Sequence, residues 1–373
     1  MKIGIYIPTA SFFVGGGEIV PLMQAKYLAK RGNKIHVSVL KTSTQTEYFK
    51  TFQKENKNIK FDYLKMRLFG SDIPYDKRVV DHKLGHEMYF NLGREVSDYC
   101  TIQKFDVVIT HYAPAAVSIP ASTKQILVLH GVPETKEIVN GVAVRVVDKL
   151  VAVSKYVAGG WEKLYNTPRI EVIYNGIDSN LFTSEKTSKD IDILYVGRLI
   201  EVKGVQFLIN AVWNLVKNYP DLRVVIGGNG PYEESLRKLT GKLSMEKNIR
   251  FIGYIPDNNL RRYYNRSKVV VLPSYSKEGV LTTLLEASSC ECAVVTTNCC
   301  GMKEFVEDGE NGLLVKPKSS KEIAEKIQYL LNNDSIRQKL GKNARREIER
   351  NWTWDKSIDR FKKLIKEVVN VNN

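Results

Sequence analysis

Apolar and polar positions along this chain fall on two periods that take turns. Short blocks rich in β-branched residues, Lys2–Pro8, Lys34–Leu40, Phe105–His111, Gln125–Gly131, Leu150–Lys155 and Ile170–Tyr174, read as buried strands. After a gap the series resumes at Asp192–Val196, Leu222–Gly227, Ile249–Tyr254, Lys268–Pro273, Ala293–Thr297 and Gly312–Val315. Helically spaced segments separate the blocks, and this strand-helix repetition predicts parallel sheets. The polar stretch Asp178–Asp190 reads as the linker between two such sheets. The expected fold class is therefore α/β, with two doubly wound, Rossmann-like domains facing across a cleft at residues 1–172 and 173–350. Such sheets bind ligands at the carboxyl ends of their strands. Trp354, Ile358, Phe361, Ile365 and Val368 then mark an amphipathic helix, within 351–373, that is expected to cross back to the first domain.

Bulk properties narrow the classes. The 373 residues and 43% hydrophobic content suit two globular domains. No apolar run approaches the ~18–20 residues of a membrane span, and Met1-Lys2 leads into a strand without a signal-peptide pattern. The expectation is a cytoplasmic protein, with peripheral attachment to the membrane face as its extension. Five cysteines, Cys100, Cys290, Cys292, Cys299 and Cys300, are too few and too uneven for a disulfide framework and lack zinc-knuckle spacing, so no metal is expected. The net charge of +15 is spread, with more than half of the excess in residues 1–170. Without a nucleic-acid motif it points to an acidic substrate or an anionic membrane surface, and to no nucleic acid. Residues Thr42 to Arg94 form the least regular part. There Lys54, Lys57, Lys60, Lys65, Arg67, Lys77, Arg78 and Lys83 interleave with Phe49, Phe52, Phe61, Tyr63, Leu68 and Phe69, a pattern that suits an interfacial or acceptor-binding surface or an ordinary solvated region.

Candidate chemistry clusters where strands end. Glu278 to Glu286 reads E-G-V-L-T-T-L-L-E and places two carboxylates across a strand-to-helix junction. Thr282 stands at the expected helix N-cap, which would leave the Thr283 and Leu284 amides facing an anion. The alternative is a solvated Glu278 and a Glu286 that complements the helix dipole. Arg198 and Lys203 follow the strand of D-I-L-Y-V-G-R-L-I-E-V-K and could clamp a diphosphate. Two glycine turns, Gly227–Pro231 with Gly228 and Gly230, and Phe251–Pro256 with Tyr254, could accept a nucleobase and ribose. V-G-G-G-E at Val14–Glu18 opens a helix, so that Gly16 and Gly17 could admit an anion, although G-x-G-x-x-G is not matched. His130 closes a strand as a lone histidine, either structural or in the cleft.

V-G-R-L…K-G, G-N-G-P, F-I-G-Y, L-P-S…E-G-V-L-T-T-L-L-E-A and E-N-G-L-L-V, in this order, resemble a retaining glycosyltransferase of family 4 with GT-B architecture. The resemblance is densest over 172–317. It implies transfer of a sugar, with hexose expected, from a nucleotide-diphosphate-sugar donor to a glycan or lipid-linked acceptor, with no cofactor and no metal. Arg198 and Lys203 would neutralise the leaving diphosphate, Glu278 would hold sugar hydroxyls, and Glu286 the ribose. Gly16 and Gly17 would approach the phosphates, His130 would lie beside the donor sugar, and Gly197, Gly228, Gly230, Tyr254, Thr282 and Thr283 would complete the donor site. No carboxylate nucleophile stands out, so a front-face substitution is expected. The sequence departs from the family pattern at Glu291, Ala293 and Lys303. Competing readings are a sugar-nucleotide epimerase of the same fold and a non-catalytic sugar-nucleotide-binding module.

Overall fold

The computed structural model describes residues 1–42, 44–65, 67–68, 71–72 and 82–370. The first unit comprises Met1–Asn175 together with the C-terminal helix Trp354–Asn370; the second is Gly176–Thr353. In the first, β1 (Lys2–Tyr6), β2 (Lys34–Leu40), β3 (Ile59–Leu64), β6 (Val107–Thr110), β7 (Gln125–Leu129), β8 (Lys149–Ala152) and β9 (Glu171–Val172) form one parallel sheet. Their order is β3-β2-β1-β6-β7-β8-β9. A two-residue hairpin, β4 (Arg67–Leu68) with β5 (Ser71–Asp72), stands apart. The second unit holds β10 (Ile191–Val196), β11 (Val224–Gly227), β12 (Ile249–Gly253), β13 (Ser267–Leu272), β14 (Ala293–Thr297) and β15 (Leu313–Val315), also parallel, in the order β12-β11-β10-β13-β14-β15. The central strands are buried on both faces, which is why they read as predominantly apolar runs.

Helix Trp354–Asn370 belongs to the first unit for a plain energetic reason. Trp354, Ile358, Phe361, Ile365 and Val368 are all buried in that unit's core, and Trp354 stacks on Tyr27 at 6.0 Å. Burial of one such side chain is worth about 1.5–3 kcal/mol. The Ser357 hydroxyl donates to the Tyr174 carbonyl at 2.7 Å, tying the helix to the point where the chain leaves the first sheet.

Two expectations require correction. Asp178–Asp190 is no linker but lies within the second unit, held by Asn265. The Glu185 amide donates to Asn265 Oδ1 at 2.7 Å, Asn265 Nδ2 donates to the Thr183 carbonyl at 2.8 Å, and Phe182 is buried. Residues Thr42 to Arg94 are more regular than expected, with helix Glu47–Glu55, strand β3 and a helix from His82 to Gln103. Phe49 and Phe52 are core residues packed on Phe61, so they cannot serve as an interfacial surface. Lys54, Lys57 and Lys60 are exposed. Phe69, Lys77 and Arg78 lie outside the described residues, as do the side chains of Arg67, Leu68 and Lys83.

Candidate active site

The loops that follow β10 to β14 are laced together by backbone hydrogen bonds at the carboxyl ends of the second sheet. The Gly228 amide donates to the Gly253 carbonyl at 2.7 Å, Gly197 to Gly227 at 3.1 Å, and Leu199 to Asn229 at 2.9 Å. Tyr275 donates to Val202 at 2.9 Å, and Gly301 to Glu278 at 3.1 Å. This lacing demands glycine. At Gly228, with φ +128°, a Cβ would fall 1.8 Å from the Gly197 carbonyl oxygen, and at Gly230 one would fall 2.2 Å from that of Leu199. Gly204, with φ +76°, would put its Cβ 2.1 Å from the Pro273 carbonyl oxygen. Close packing of the loops thus explains these glycines without a ligand.

Within this frame Lys203, in the short helix Glu201–Lys203, is hydrogen-bonded and ion-paired to Glu278 in the loop after β13. Ser274 Oγ also approaches Glu278 Oε1, at 3.4 Å. Glu286 lies in helix Thr282–Ser289 and accepts a hydrogen bond from Tyr264 Oη at 2.8 Å. Burial, followed by the Glu286 charge, holds the Tyr264 phenol far above its ordinary pKa, so it remains a donor and orients that carboxylate. Tyr195 is likewise raised by burial with a contribution from Glu278, and its hydroxyl donates to the Arg198 carbonyl at 3.1 Å. Arg198 itself is exposed, as is Tyr254 directly after β12. The helix reading needs one correction: Leu281 is the N-cap and Thr282 the first helical residue. The Leu284 amide bonds to the Leu281 carbonyl at 3.1 Å and is not left for an anion. The cap has no side-chain hydrogen bond, so it leaves first-turn amides, Thr283 among them, to other partners.

In the first unit His130 is not alone. His111, after β6, and His130, after the neighbouring β7, meet Nδ1 to Nε2 at 2.9 Å, and His111 Nε2 meets Oε1 of buried Gln24 at 2.8 Å. Burial lowers both imidazoles, His130 to about 4 and His111 well below its ordinary value, so both are neutral near pH 7. With the Gln24 carbonyl as acceptor, His111 carries its proton on Nε2. Its bare Nδ1 then accepts from His130 Nε2–H, which leaves His130 Nδ1 as an acceptor. Gly16 and Gly17 begin helix Gly16–Lys30, behind an N-cap Gly15 that has no side-chain hydrogen bond. A Cβ at either would meet open space, and neither has a positive φ. Glu18, whose Oε1 accepts from Thr9 Oγ1 at 2.9 Å, already answers part of the helix dipole.

Two family models match the chain, Glycosyltransferase Family 4 over residues 14–181 and Glycosyl transferases group 1 over 177–347. The chain belongs to glycosyltransferase family 4. An uncharacterized glycosyltransferase of Methanocaldococcus jannaschii is 32% identical over 233 residues, which are 60% of this chain and 59% of the relative. The match therefore spans about three fifths of that relative's length. An uncharacterized glycosyltransferase of Haemophilus influenzae is 26% identical over 98% of this chain and 99% of its own. The Anabaena protein HepE, solved in complex with UDP and glucose, superposes with a TM-score of 0.80 at 20% identity, covering 98% of this chain and 99% of its own. At that identity the likeness shows the fold, the GT-B architecture of two Rossmann-like domains.

For a family-4 glycosyltransferase, the second unit brings together Lys203, Glu278 and the glycine loops, and separately pairs Glu286 with Tyr264. Sequence reading missed His111, Gln24, Tyr264 and Ser274. Of these His111 carried a signal, since it ends its strand as His130 does. Among the described residues no group of three or more His, Cys, Asp or Glu is placed to hold a metal ion, and no helix is long and apolar enough to cross a membrane.

Proposed function

We propose that the chain transfers a sugar, a hexose in the first instance, from a nucleoside-diphosphate donor to a glycan or lipid-linked acceptor, with retained anomeric configuration. The observation that carries the reading is the Lys203–Glu278 pair at the carboxyl edge of the second sheet, a half-buried cation beside a carboxylate, framed by loops that pack too tightly for a side chain at Gly204, Gly228 and Gly230. Lys203 and Arg198 supply positive charge for the departing diphosphate, and preorganised charge of this kind is the main source of rate in such transfers. Glu278 takes sugar hydroxyls, and Glu286, fixed by Tyr264, takes the ribose. Gly197, Gly228, Gly230, Tyr254, Thr282 and Thr283 complete the donor pocket. In the first unit His130 presents an acceptor nitrogen to a sugar hydroxyl, and the amides at Gly16 and Gly17 approach phosphate. A front-face path, in which the leaving diphosphate oxygen receives the acceptor proton, fits a site where Lys203 already occupies Glu278, and needs no divalent ion. Membrane-linked acceptors are supported by an exposed apolar stripe, Ile138, Val142 and Val146, beside exposed Lys136 and Arg145.

Calorimetry of the purified chain against UDP, GDP, ADP and NADH tests the reading. HepE was solved with UDP, which makes UDP the first probe. Saturable binding of one nucleoside diphosphate, weakened by Lys203→Ala, is expected. Binding of NADH without affinity for any nucleoside diphosphate overturns the proposal.

A further inference from the structure

Cys299 and Cys300 directly follow β14, and no step of the proposed transfer uses them. Cys299 is half-buried, and its Sγ lies 3.3 Å from that of Cys300 and 3.4 Å from Thr297 Oγ1. The hydrogen bond from the Cys300 thiol, then the contact with Thr297 and the charge of Lys303, pull Cys299 down to about 6 against burial and the Glu278 charge. Three of the other cysteines behave in the opposite way. Burial pushes Cys100 and Cys292 up to about 12 and Cys290 higher still, leaving them as inert thiols. Cys300 holds a left-handed φ of +56°, rare for a residue with a side chain. The next residue, Gly301, touches the Glu278 turn backbone to backbone. Its amide donates to the Glu278 carbonyl at 3.1 Å, and a Cβ there would fall 2.3 Å from the Gly279 carbonyl carbon.

We propose that Cys299–Cys300 is an oxidation site for hydroperoxides, closing a disulfide between neighbours that displaces the Glu278–Gly279 turn through Gly301. The Cys299 thiolate attacks the terminal oxygen of the hydroperoxide, the O–O bond breaks, and the alcohol or water leaves with the proton, giving a sulfenic acid. The Cys300 sulfur then attacks Cys299 Sγ, the S–O bond breaks, and water departs with the Cys300 proton. Two thiols and one hydroperoxide become one disulfide, one alcohol and one water. Adjacent Cα atoms across a trans peptide lie ~3.8 Å apart, short of the ~4.4 Å at the lower end of the disulfide range. Closure must therefore strain the peptide between the two residues, and the packing leaves Gly301 no slack against Gly279. A strained disulfide of this kind is readily reduced, which makes the modification reversible.

The thiol chemistry does not depend on the transfer reading. The test treats the full chain with hydrogen peroxide, blocks remaining thiols by alkylation and maps the cysteines by mass spectrometry. The expected result is loss of two hydrogens confined to Cys299 and Cys300, reversed by dithiothreitol, with Cys299 reacting at least roughly tenfold faster than Cys100, as its thiolate character dictates. Cys300→Ser, or Cys300→Ala if the first does not fold, should accumulate a sulfenic acid at position 299 that dimedone traps. Amide exchange at residues 278–281 should change on oxidation of the wild type and not of the Cys300 variant. Cys299 left as a thiol, or oxidised to a sulfinic acid with Cys300 untouched, overturns the site. A disulfide without any change in exchange at 278–281 overturns the coupling.

Discussion

Replacing Glu278 by glutamine should tighten the binding of a free nucleoside diphosphate while it slows transfer. Lys203 is already neutralised: its side chain is 13% exposed, that of Glu278 30%, and the two are in direct contact. A diphosphate recruited by Lys203 would lie next to that carboxylate, and the repulsion opposes binding. For one unit charge at ~5 Å in an effective dielectric of about 40 to 80, the repulsion is about 1 kcal/mol. Glutamine keeps the volume and an acceptor for Lys203 and removes the charge, so Kd for UDP, or for whichever nucleoside diphosphate binds, should fall roughly fivefold. Raising the salt should shrink the gain, because both residues are within reach of solvent. Lys203→Ala should act in the opposite direction and weaken binding. Calorimetry at low and high salt on the wild type and both variants measures this. If Glu278→Gln weakens the nucleotide as Lys203→Ala does, Glu278 is a nucleotide ligand and its assignment to sugar hydroxyls is wrong.

Other outcomes follow from the same geometry. Arg198→Ala, exposed and therefore harmless to folding, should lower kcat by roughly ten- to a thousandfold in a transfer assay, and a rate equal to wild type would remove Arg198 from the diphosphate. Chelation by EDTA should leave transfer intact, and activity restored by added magnesium or manganese would refute the metal-free path. Gly17→Ala should stabilise its helix by about 0.5–1 kcal/mol yet lower activity, whereas full activity would mean that no phosphate approaches that backbone. For pH, the His130 pKa of about 4 lies below its ordinary 6.5. The unfolded chain thus binds the extra proton first, so stability is complete above about 6.5 and falls as the pH drops toward 4, by about 2 kcal/mol at pH 5. Hydrogen exchange of the β6 and β7 peptides reads the first unit by itself, and the pH dependence should shrink in His130→Gln. Ile138→Asp with Val142→Asp should reduce co-sedimentation with anionic vesicles at low salt, and equal recovery in the supernatant for wild type and variant would assign the stripe elsewhere.

The central strands were legible because a strand buried on both faces is predominantly apolar. The series from Ile191 to Val196 and from Ala293 to Thr297 is buried throughout, and its aliphatic and β-branched content shows this even though Asp192 needs Arg223 and Lys268 to be accommodated. Strand β3 escaped notice because it sits at the sheet edge and carries charge inward: Asp62 receives the Tyr99 hydroxyl at 2.5 Å and meets His36 Nδ1 at 2.9 Å. Its sequence, I-K-F-D-Y-L, looks half solvated until those partners, from a strand and a helix far along the chain, are in place. The polar stretch 178–190 misled for the same reason, since composition reports affinity for water and says nothing of an Asn265 whose side chain satisfies the backbone from 80 to 82 residues away.

The glycines show where such reading reaches its limit and where the structure begins to discriminate. In sequence the glycines near residues 16 and 228 look alike, two runs that end strands and open toward a possible phosphate. In space they differ. Gly228 and Gly230 are required by the protein itself, because a methyl group at either would overlap a neighbouring carbonyl. Gly16 and Gly17 meet no atom of the described residues within 4 Å and open a helix, where glycine costs up to about 1 kcal/mol relative to alanine. Under the proposed reading, a phosphate approaching that backbone is the requirement that packing among the described residues does not supply. The same logic separates the two acidic positions. Glu286 has a buried tyrosine to orient it. Glu278 is ion-paired with Lys203, so under the proposed reading it is the residue whose interactions change when a diphosphate binds, and substitution there tests the proposed chemistry most directly.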